Sequence, residues 1–415
     1  MSHSSTLKRL IVVWPLLFGI FILCISNGLQ GTLLGLRASS EGFPVAITGI
    51  IMSMYYAGFL IGCQYIPKMI SSVGHIRVFA ALASMASTTI LLHGLFVNPW
   101  LWIPIRLLTG FCFSGLFIIA ESWLNKIANK EQRGTIFSAY VSIVYAGLFA
   151  GQFLINSAPL TKIDLFIMVS ILISIALAPI TLTNKRTPGY QKPETVSFRK
   201  IMSISPLSMA GVFVSGLCGG TMISLGPVYA SASGMPNSET AIFMAVYILG
   251  NAVLPIFMGA LSDKIDRRKV IKLATIIAII CSTLITVYTH YYILIFLLGG
   301  MMTSIYSVSI THMNDQIKKS QIVSVSRSLI LFNSLGATIG PIVGGGLLSV
   351  VGSQGFFIMF AAYTAILLVI ALYRSIVGEK IERKRNFVHL PAQFAPSIFR
   401  LKEKPPEKQD GDKTP

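Results

Sequence analysis

Apolar stretches recur from one end of this chain to the other, and each is about 20 residues or longer, enough for an α-helix to cross about 30 Å of hydrocarbon. We place twelve such spans at residues 10–35, 44–66, 77–97, 100–124, 133–157, 162–183, 206–230, 238–261, 270–289, 292–314, 324–349 and 355–376. Hydrophobic residues make up 53% of the 415 and charged residues 12%, which excludes a soluble globule. Lipid offers the backbone no hydrogen bonds, so the expected fold class is an all-α membrane protein. The first run follows Lys8 and Arg9 as in a signal peptide, but it is long and has no small-residue cleavage site, so it reads as the first span.

An even number of spans puts both ends of the chain on one side. Lys and Arg are retained on the cytoplasmic side, and a cytoplasmic N-terminus places all but three of the 33 Lys and Arg in or beside cytoplasmic segments. The exceptions are Arg37, Lys162 and, within a span, Arg106. Both termini are therefore expected in the cytoplasm. The same split accounts for most of the net charge of +18 and removes nucleic acid as a partner. Trp14, Trp100, Trp102 and Trp123 fall near span ends, where an amphipathic ring suits the headgroup level. Cys24, Cys63, Cys112, Cys218 and Cys281 lie inside spans with no paired spacing, so they read as small hydrophobes, with no metal site and no cofactor expected.

The segment "NKRTPGYQKPETVSFRK" is polar, carries two prolines and divides the spans six and six. The expected organisation is an N-terminal six-helix bundle at 1–183, a cytoplasmic linker at 184–205, a C-terminal six-helix bundle at 206–377 and a disordered basic tail at 378–415. The tail has too little apolar content to fold. Its basic start, "EKIERKR", reads as solvated, with anionic lipid as an alternative contact.

Between spans 8 and 9 stands "GALSDKIDRRKV". Gly259, Asp263, Lys264, Arg267 and Arg268 match G-x-L-x-D-R-x-x-R-R, so the loop resembles the signature loop of the major facilitator superfamily. Chemically, a glycine lets two helices approach, the aspartate can meet a helix N-terminus or a facing arginine, and the arginines supply countercharge at the membrane surface. In that family the loop is a latch that helps close one end of a transporter. Its counterpart between spans 2 and 3, "GCQYIPKMISSVGHIR", keeps Gly62 but has Ile66 in place of the aspartate; Gly74, His75 and Arg77 are what remains of its later half. Two further acid–base pairings repeat across the halves: Glu121 precedes Arg133, and Asp315 precedes Arg327, by the same spacing. The segments "RLLTGFCFSGLFIIAESWLN", "ESWLNKIANKEQRG", "AGLFAGQ" and "HMNDQI" resemble the YcaD-like branch of the superfamily.

The resemblance implies twelve helices in two six-helix bundles, located in the bacterial inner membrane and rocking around one central site. Spans 1, 4, 7 and 10 would line the cavity, 2, 5, 8 and 11 its side walls, and 3, 6, 9 and 12 would face lipid. Spans 6 and 12 are nearly uniformly apolar, as lipid contact requires. Polar residues concentrate elsewhere: Asn27, Gln30, Arg106, Ser114, Tyr145, Gln152, Tyr247, Asn251, Tyr306 and Asn333 are the cavity or substrate candidates. An ordinary helix-to-helix hydrogen bond competes with substrate contact for each.

Arg106 is the most informative of these, because a guanidinium in the bilayer costs roughly 2.5 kcal/mol or more on insertion scales. Its setting, "RLLTG", resembles the span-4 R-x-x-x-G motif of proton-coupled members. Three roles are open: an anchor for an anionic or zwitterionic substrate, a charge that tunes a protonation site, or a side chain snorkelling to the outer surface. Glu121, Asp315 and His312 are the proton-coupling candidates, with salt bridges from Glu121 to Arg133 and from Asp315 to Arg327 as the competing role. No strong acid sits at the middle of a span, which leaves facilitated diffusion open. Glycines in "GATIGPIVGGG" of span 11 and "GLCGGTMISLGP" of span 7 predict close packing and a broken helix beside the cavity.

The leading expectation is a secondary transporter that moves a small organic solute by alternating access, with protons as a further partner. The lipid bilayer is its surroundings, and the expected state is a monomer. No H-E-x-x-H, G-x-S-x-G or catalytic-sized loop points to an enzyme. The missing loop aspartate keeps a non-transporting receptor or scaffold of the same fold as the alternative.

Overall fold

A computed structural model describes residues 2–127, 133–181, 198–288, 292–318 and 321–377. Every element in these residues is helical: α1 (Ser2–Ser40), α2 (Val45–Val73), α3 (His75–Leu95), α4 (Pro99–Ile127), α5 (Arg133–Phe153), α6 (Asp164–Thr181), α7 (Phe198–Ile204), α8 (Pro206–Ala232), α9 (Asn237–Ser262), α10 (Arg267–Val287), α11 (Tyr292–Asp315), α12 (Ile322–Val351) and α13 (Ser353–Val377). A 3-10 turn, Leu154–Ser157, extends α5. Eleven helices are long and apolar enough to cross a membrane, and the shorter α6 is apolar over Asp164–Ala178. The helices follow the twelve expected spans closely; α7 is an addition at the end of the linker. Linker residues 184–197, tail residues 378–415 and the Arg133 side chain lie outside the described residues.

Local chemistry sets the joints. Gly74, at φ 90°, is the single residue between α2 and α3, a backbone angle that favours glycine. The Asn98 side chain accepts from the Trp100 amide at 2.9 Å ahead of α4, where Pro99 needs no donor. Asp266 caps α10 by accepting from the Arg268 amide at 2.9 Å. The expected break beside the cavity is absent: α8 and α12 run unbroken through Pro227 and Pro341. Neighbouring helices and local adjustment accommodate proline in such spans.

The helices on either side of α7 repeat one packing scheme. In the first set α1 packs on α5 and α6, α2 on α4, and α3 on α4 and α6. In the second, α8 packs on α12 and α13, α9 on α11, and α10 on α11 and α13. The sets meet through α2 with α12, α5 with α9, and α1 with α8. In α1, α4, α8 and α11, 72–78% of the most apolar stretch is buried, against 44–56% in the other long helices, so these four form the centre. Exposed Ile167, Ile171 and Ile175 on α6, and Ile358, Ile366 and Val369 on α13, mark outer faces.

At the end opposite the 263–266 connection the sets come into direct contact. A Cβ added at Gly49 of α2 would strike the Pro341 carbonyl and Gly345 backbone of α12, and one at Gly35 of α1 would meet Pro227 of α8 at 3.3 Å. The tryptophans divide: Trp14 and Trp100 are exposed, whereas Trp102 and Trp123 are buried. Trp102 donates to the Phe96 carbonyl at 2.8 Å, and Trp123 stacks against His75. Proximity to a span end therefore did not place these two rings at the surface.

Candidate functional site: a cavity between the helix sets

A cavity lies between the two sets, with about 810 Å3 of atom-free space including the part open to solvent. Tyr55, Tyr56 and Phe59 of α2, Phe117 of α4 and Tyr145 and Leu148 of α5 line it from one side. Tyr247 and Asn251 of α9, Thr303 of α11 and Asn333 and Ser334 of α12 are among those lining it from the other. Among the described residues, no charged one lines it. Aromatic faces with a few hydroxyls and amides suit a small organic molecule, gripping an apolar or planar body and orienting it by hydrogen bonds.

An adjoining pocket of about 490 Å3 shares Tyr55, Tyr56, Leu148, Ile223 and Ile248 with the first and adds Asn27, Thr32, Arg106, Gln152 and Ser224. Arg106 is 4% exposed, so it faces the interior and does not snorkel. Its guanidinium carbon sits over the Tyr55 ring, 4.6 Å from the centroid. Tyr55 in turn donates to the Asn27 side-chain carbonyl at 3.3 Å. Gln152 accepts from Thr32 and donates to the carbonyls of Gly28 at 3.1 Å and Leu148 at 3.2 Å, joining α1 to α5.

Backbone proximity holds this arrangement. A Cβ at Gly58 would collide with the Leu107 carbonyl, and one at Gly110 with the Tyr55 carbonyl, so α2 and α4 touch through their main chains. That contact brings the Tyr55 ring under Arg106. Gly62 meets Ser114 in the same seam, which makes Ser114 a packing residue whose hydroxyl bonds the Phe111 carbonyl at 3.1 Å.

The expected cavity residues thus separate into groups. Tyr145, Tyr247, Asn251 and Asn333 line the central cavity; Asn27, Arg106 and Gln152 line the adjoining pocket. Tyr306 and Gln30 are buried but line neither, and both Gln30 amide atoms lack a hydrogen-bond partner among the described residues. Sequence reasoning missed Tyr55, Tyr56, Phe59, Phe117, Ser215, Thr303 and Ser334; the adjacent tyrosines in mid-span were the available signal. Asn251 and Thr303 reveal themselves as a pair, with the threonine hydroxyl donating at 2.9 Å.

The charged connection forms its own cluster. Arg267 Nε donates to Asp315 at 2.7 Å, Nη1 to Ser262 at 3.1 Å and Nη2 to Asp263 at 3.4 Å. Arg268 reaches the Arg374 carbonyl at 3.1 Å, tying the loop to the end of α13, while Lys264 is exposed. Asp315 is thus an ion partner of Arg267, because α10 packs along α11 and delivers its first residue to the carboxylate. Glu121 is fully buried and accepts from the Tyr140 hydroxyl at 3.2 Å; its expected partner Arg133 has no described side chain. His312 is buried near the same end.

The Major Facilitator Superfamily profile matches residues 16–326 and 208–406. Among curated proteins, the chain is similar to the uncharacterised MFS-type transporter YcaD of Escherichia fergusonii, with 25% identity over 362 residues, 87% of this chain and 95% of that protein. YcaD of Salmonella typhimurium is 24% identical over 371 residues, 89% of this chain and 96% of that one. Among solved structures, the nucleoside transporter NupG aligns with a TM-score of 0.71 at 15% identity, covering 89% of this chain and all of NupG. A bacterial homologue of the human lysosomal transporter Spinster, inward-facing and occupied, aligns with a TM-score of 0.72 at 16% identity, covering 89% and 96%. At these identities the structural likeness concerns the fold.

Proposed function

The chain belongs to the major facilitator superfamily, and on that premise we propose that it is a secondary transporter that moves a small organic solute across the bacterial inner membrane by alternating access. The carrying observation is the uncharged aromatic and amide-lined cavity between two helix sets with one packing scheme. A site at such an interface can open to either side when one set rocks against the other. Residues 1–183 and 206–377 are the two bodies, and the end bearing the 263–266 connection faces the cytoplasm, together with both termini. The glycine contact of α2 with α12 closes the periplasmic side in this conformation.

Proton coupling is part of the proposal, and Glu121 is its carrier. It lies in α4, which also brings Arg106 and Phe117 to the two pockets, and it is enclosed with a hydroxyl as hydrogen-bond partner. Asp315 is held by Arg267 and serves as a structural anchor.

Purified protein in liposomes loaded with a bacterial metabolite extract tests this, with released solutes identified by mass spectrometry. A limited set of small solutes should leave, faster with an imposed pH gradient, and an ionophore or Glu121→Gln should remove the acceleration. Release equal to that from empty liposomes would favour the receptor or scaffold reading.

A further inference from the structure

The pocket around Arg106 has a surplus of hydrogen-bond donors. Arg106 is almost wholly buried, yet its Nε and Nη1 have no hydrogen-bond partner among the described residues. Among the described residues no carboxylate lies within ion-pair distance of it. The side-chain carbonyls lining the pocket are already committed: that of Asn27 to Tyr55, and that of Gln152 to Thr32. Tyr55 meets the face of the guanidinium, and a cation–π contact leaves the in-plane N–H groups unused. Such a side chain is a fixed positive charge with its donors held open, in a pocket that adjoins the central cavity and shares five lining residues with it.

A buried guanidinium is satisfied by a planar two-oxygen anion, which accepts two parallel hydrogen bonds. The central cavity beyond it offers rings and neutral polar groups but no charge, so it can hold an apolar or aromatic body and cannot neutralise a second ionised group. From this pairing we propose that the transported solute is an organic monocarboxylate with an aromatic or apolar body, its carboxylate on Arg106 and its body between Tyr55, Tyr56, Tyr145 and Tyr247. This rests on the transporter reading of the same cavity and adds the chemical class of the cargo. It also predicts how the charge crosses: the solute masks Arg106 and Arg106 masks the solute, so the loaded carrier has no uncompensated charge at this pocket.

The test compares acids with their own neutral counterparts. Benzoate, 4-hydroxybenzoate, 1-naphthoate and indole-3-acetate are each paired with the corresponding primary amide, and binding to the purified full-length protein in detergent is read by thermal stabilisation and by calorimetry. At least one acid should bind ten-fold or more tightly than its amide. Arg106→Gln should erase that preference by weakening the acid and sparing the amide, while Arg106→Lys should retain part of it. Far-ultraviolet circular dichroism of each variant confirms folding, and amide binding to Arg106→Gln is a second check that the cavity is intact. Equal binding of acid and amide, an acid preference that survives Arg106→Gln, or no binding of any pair overturns the carboxylate assignment. The transporter reading is judged separately by solute release from loaded liposomes: release of neutral solutes alone would leave transport standing and remove the monocarboxylate class.

Discussion

Arg267 at the start of α10 and Asp315 at the end of α11 face each other at 2.7 Å, each side chain 3% exposed. A buried pair of this kind contributes little over an apolar pair of the same shape, yet losing one member leaves the other's charge in a poor solvent without its nearest counter-ion. Asp315→Asn should therefore destabilise the protein by about 3–5 kcal/mol. Arg267→Met with Asp315→Leu should recover much of that loss. Thermal unfolding in detergent measures both.

Asp263 meets the same arginine at 3.4 Å but its side chain is 31% exposed, so solvent screens the attraction. Asp263→Asn should cost ~0–1 kcal/mol in the same unfolding assay. A loss as large as that of Asp315→Asn would show that the loop aspartate, and not the helix-end one, anchors the cluster.

Gly219 and Gly220 are adjacent on α8 and should respond oppositely to added bulk. A Cβ at Gly219 would find only the Tyr247 hydroxyl, 4.0 Å away across the cavity, whereas one at Gly220 would press into Ala337 of α12. Gly219→Leu should leave unfolding within about 1 kcal/mol of the parent, helped by better helix propensity, and cut transport by roughly ten-fold through occupying the cavity. Gly220→Leu should lower stability by about 1–3 kcal/mol or more, as overpacking does. Unfolding and solute release measured side by side separate the two.

Gly49 lies against Pro341 and Gly345 where the helix sets close. Gly49→Trp should wedge that end open. A cysteine placed at Gly31, a position with open space around it in the Arg106 pocket, should then react with a membrane-impermeant maleimide from the periplasmic side at least ten-fold faster. The five native cysteines are buried, which keeps the background low. Unchanged labelling would mean that this contact does not seal the cavity.

Orientation has its own check. Alkaline phosphatase fused after Gly234, in the turn between α8 and α9, should be active, and the same reporter fused at residue 190 should be inactive. The reverse pattern would invert the assignment of the cytoplasmic side.

The helices were legible in the sequence because a membrane span must be long and apolar, so its ends show as abrupt changes in polarity. Asn27, Arg106, Gln152, Tyr247, Asn251 and Asn333 were legible as pocket-lining residues for a related reason: a polar side chain in such a span needs an interior destination. Tyr55 and Tyr56 were not, because a tyrosine is tolerated on lipid, protein and cavity faces alike. The Arg267–Asp315 pair was not legible because equal spacing in the two halves describes chain distance, while this pair is set by α10 lying along α11. Pro227 and Pro341 misled, since a proline need not interrupt a helix whose neighbours pack around it.

Gly336, Gly340 and Gly344 recur every fourth residue of α12 and turn toward α8, whereas Gly345, one residue on, turns toward α2. One residue is about 100° around a helix, so a single rod carries a weld along one edge and a bearing along another. Motion between the bodies can use the bearing while the weld stays shut, and α12 then travels as part of its own half without having to bend.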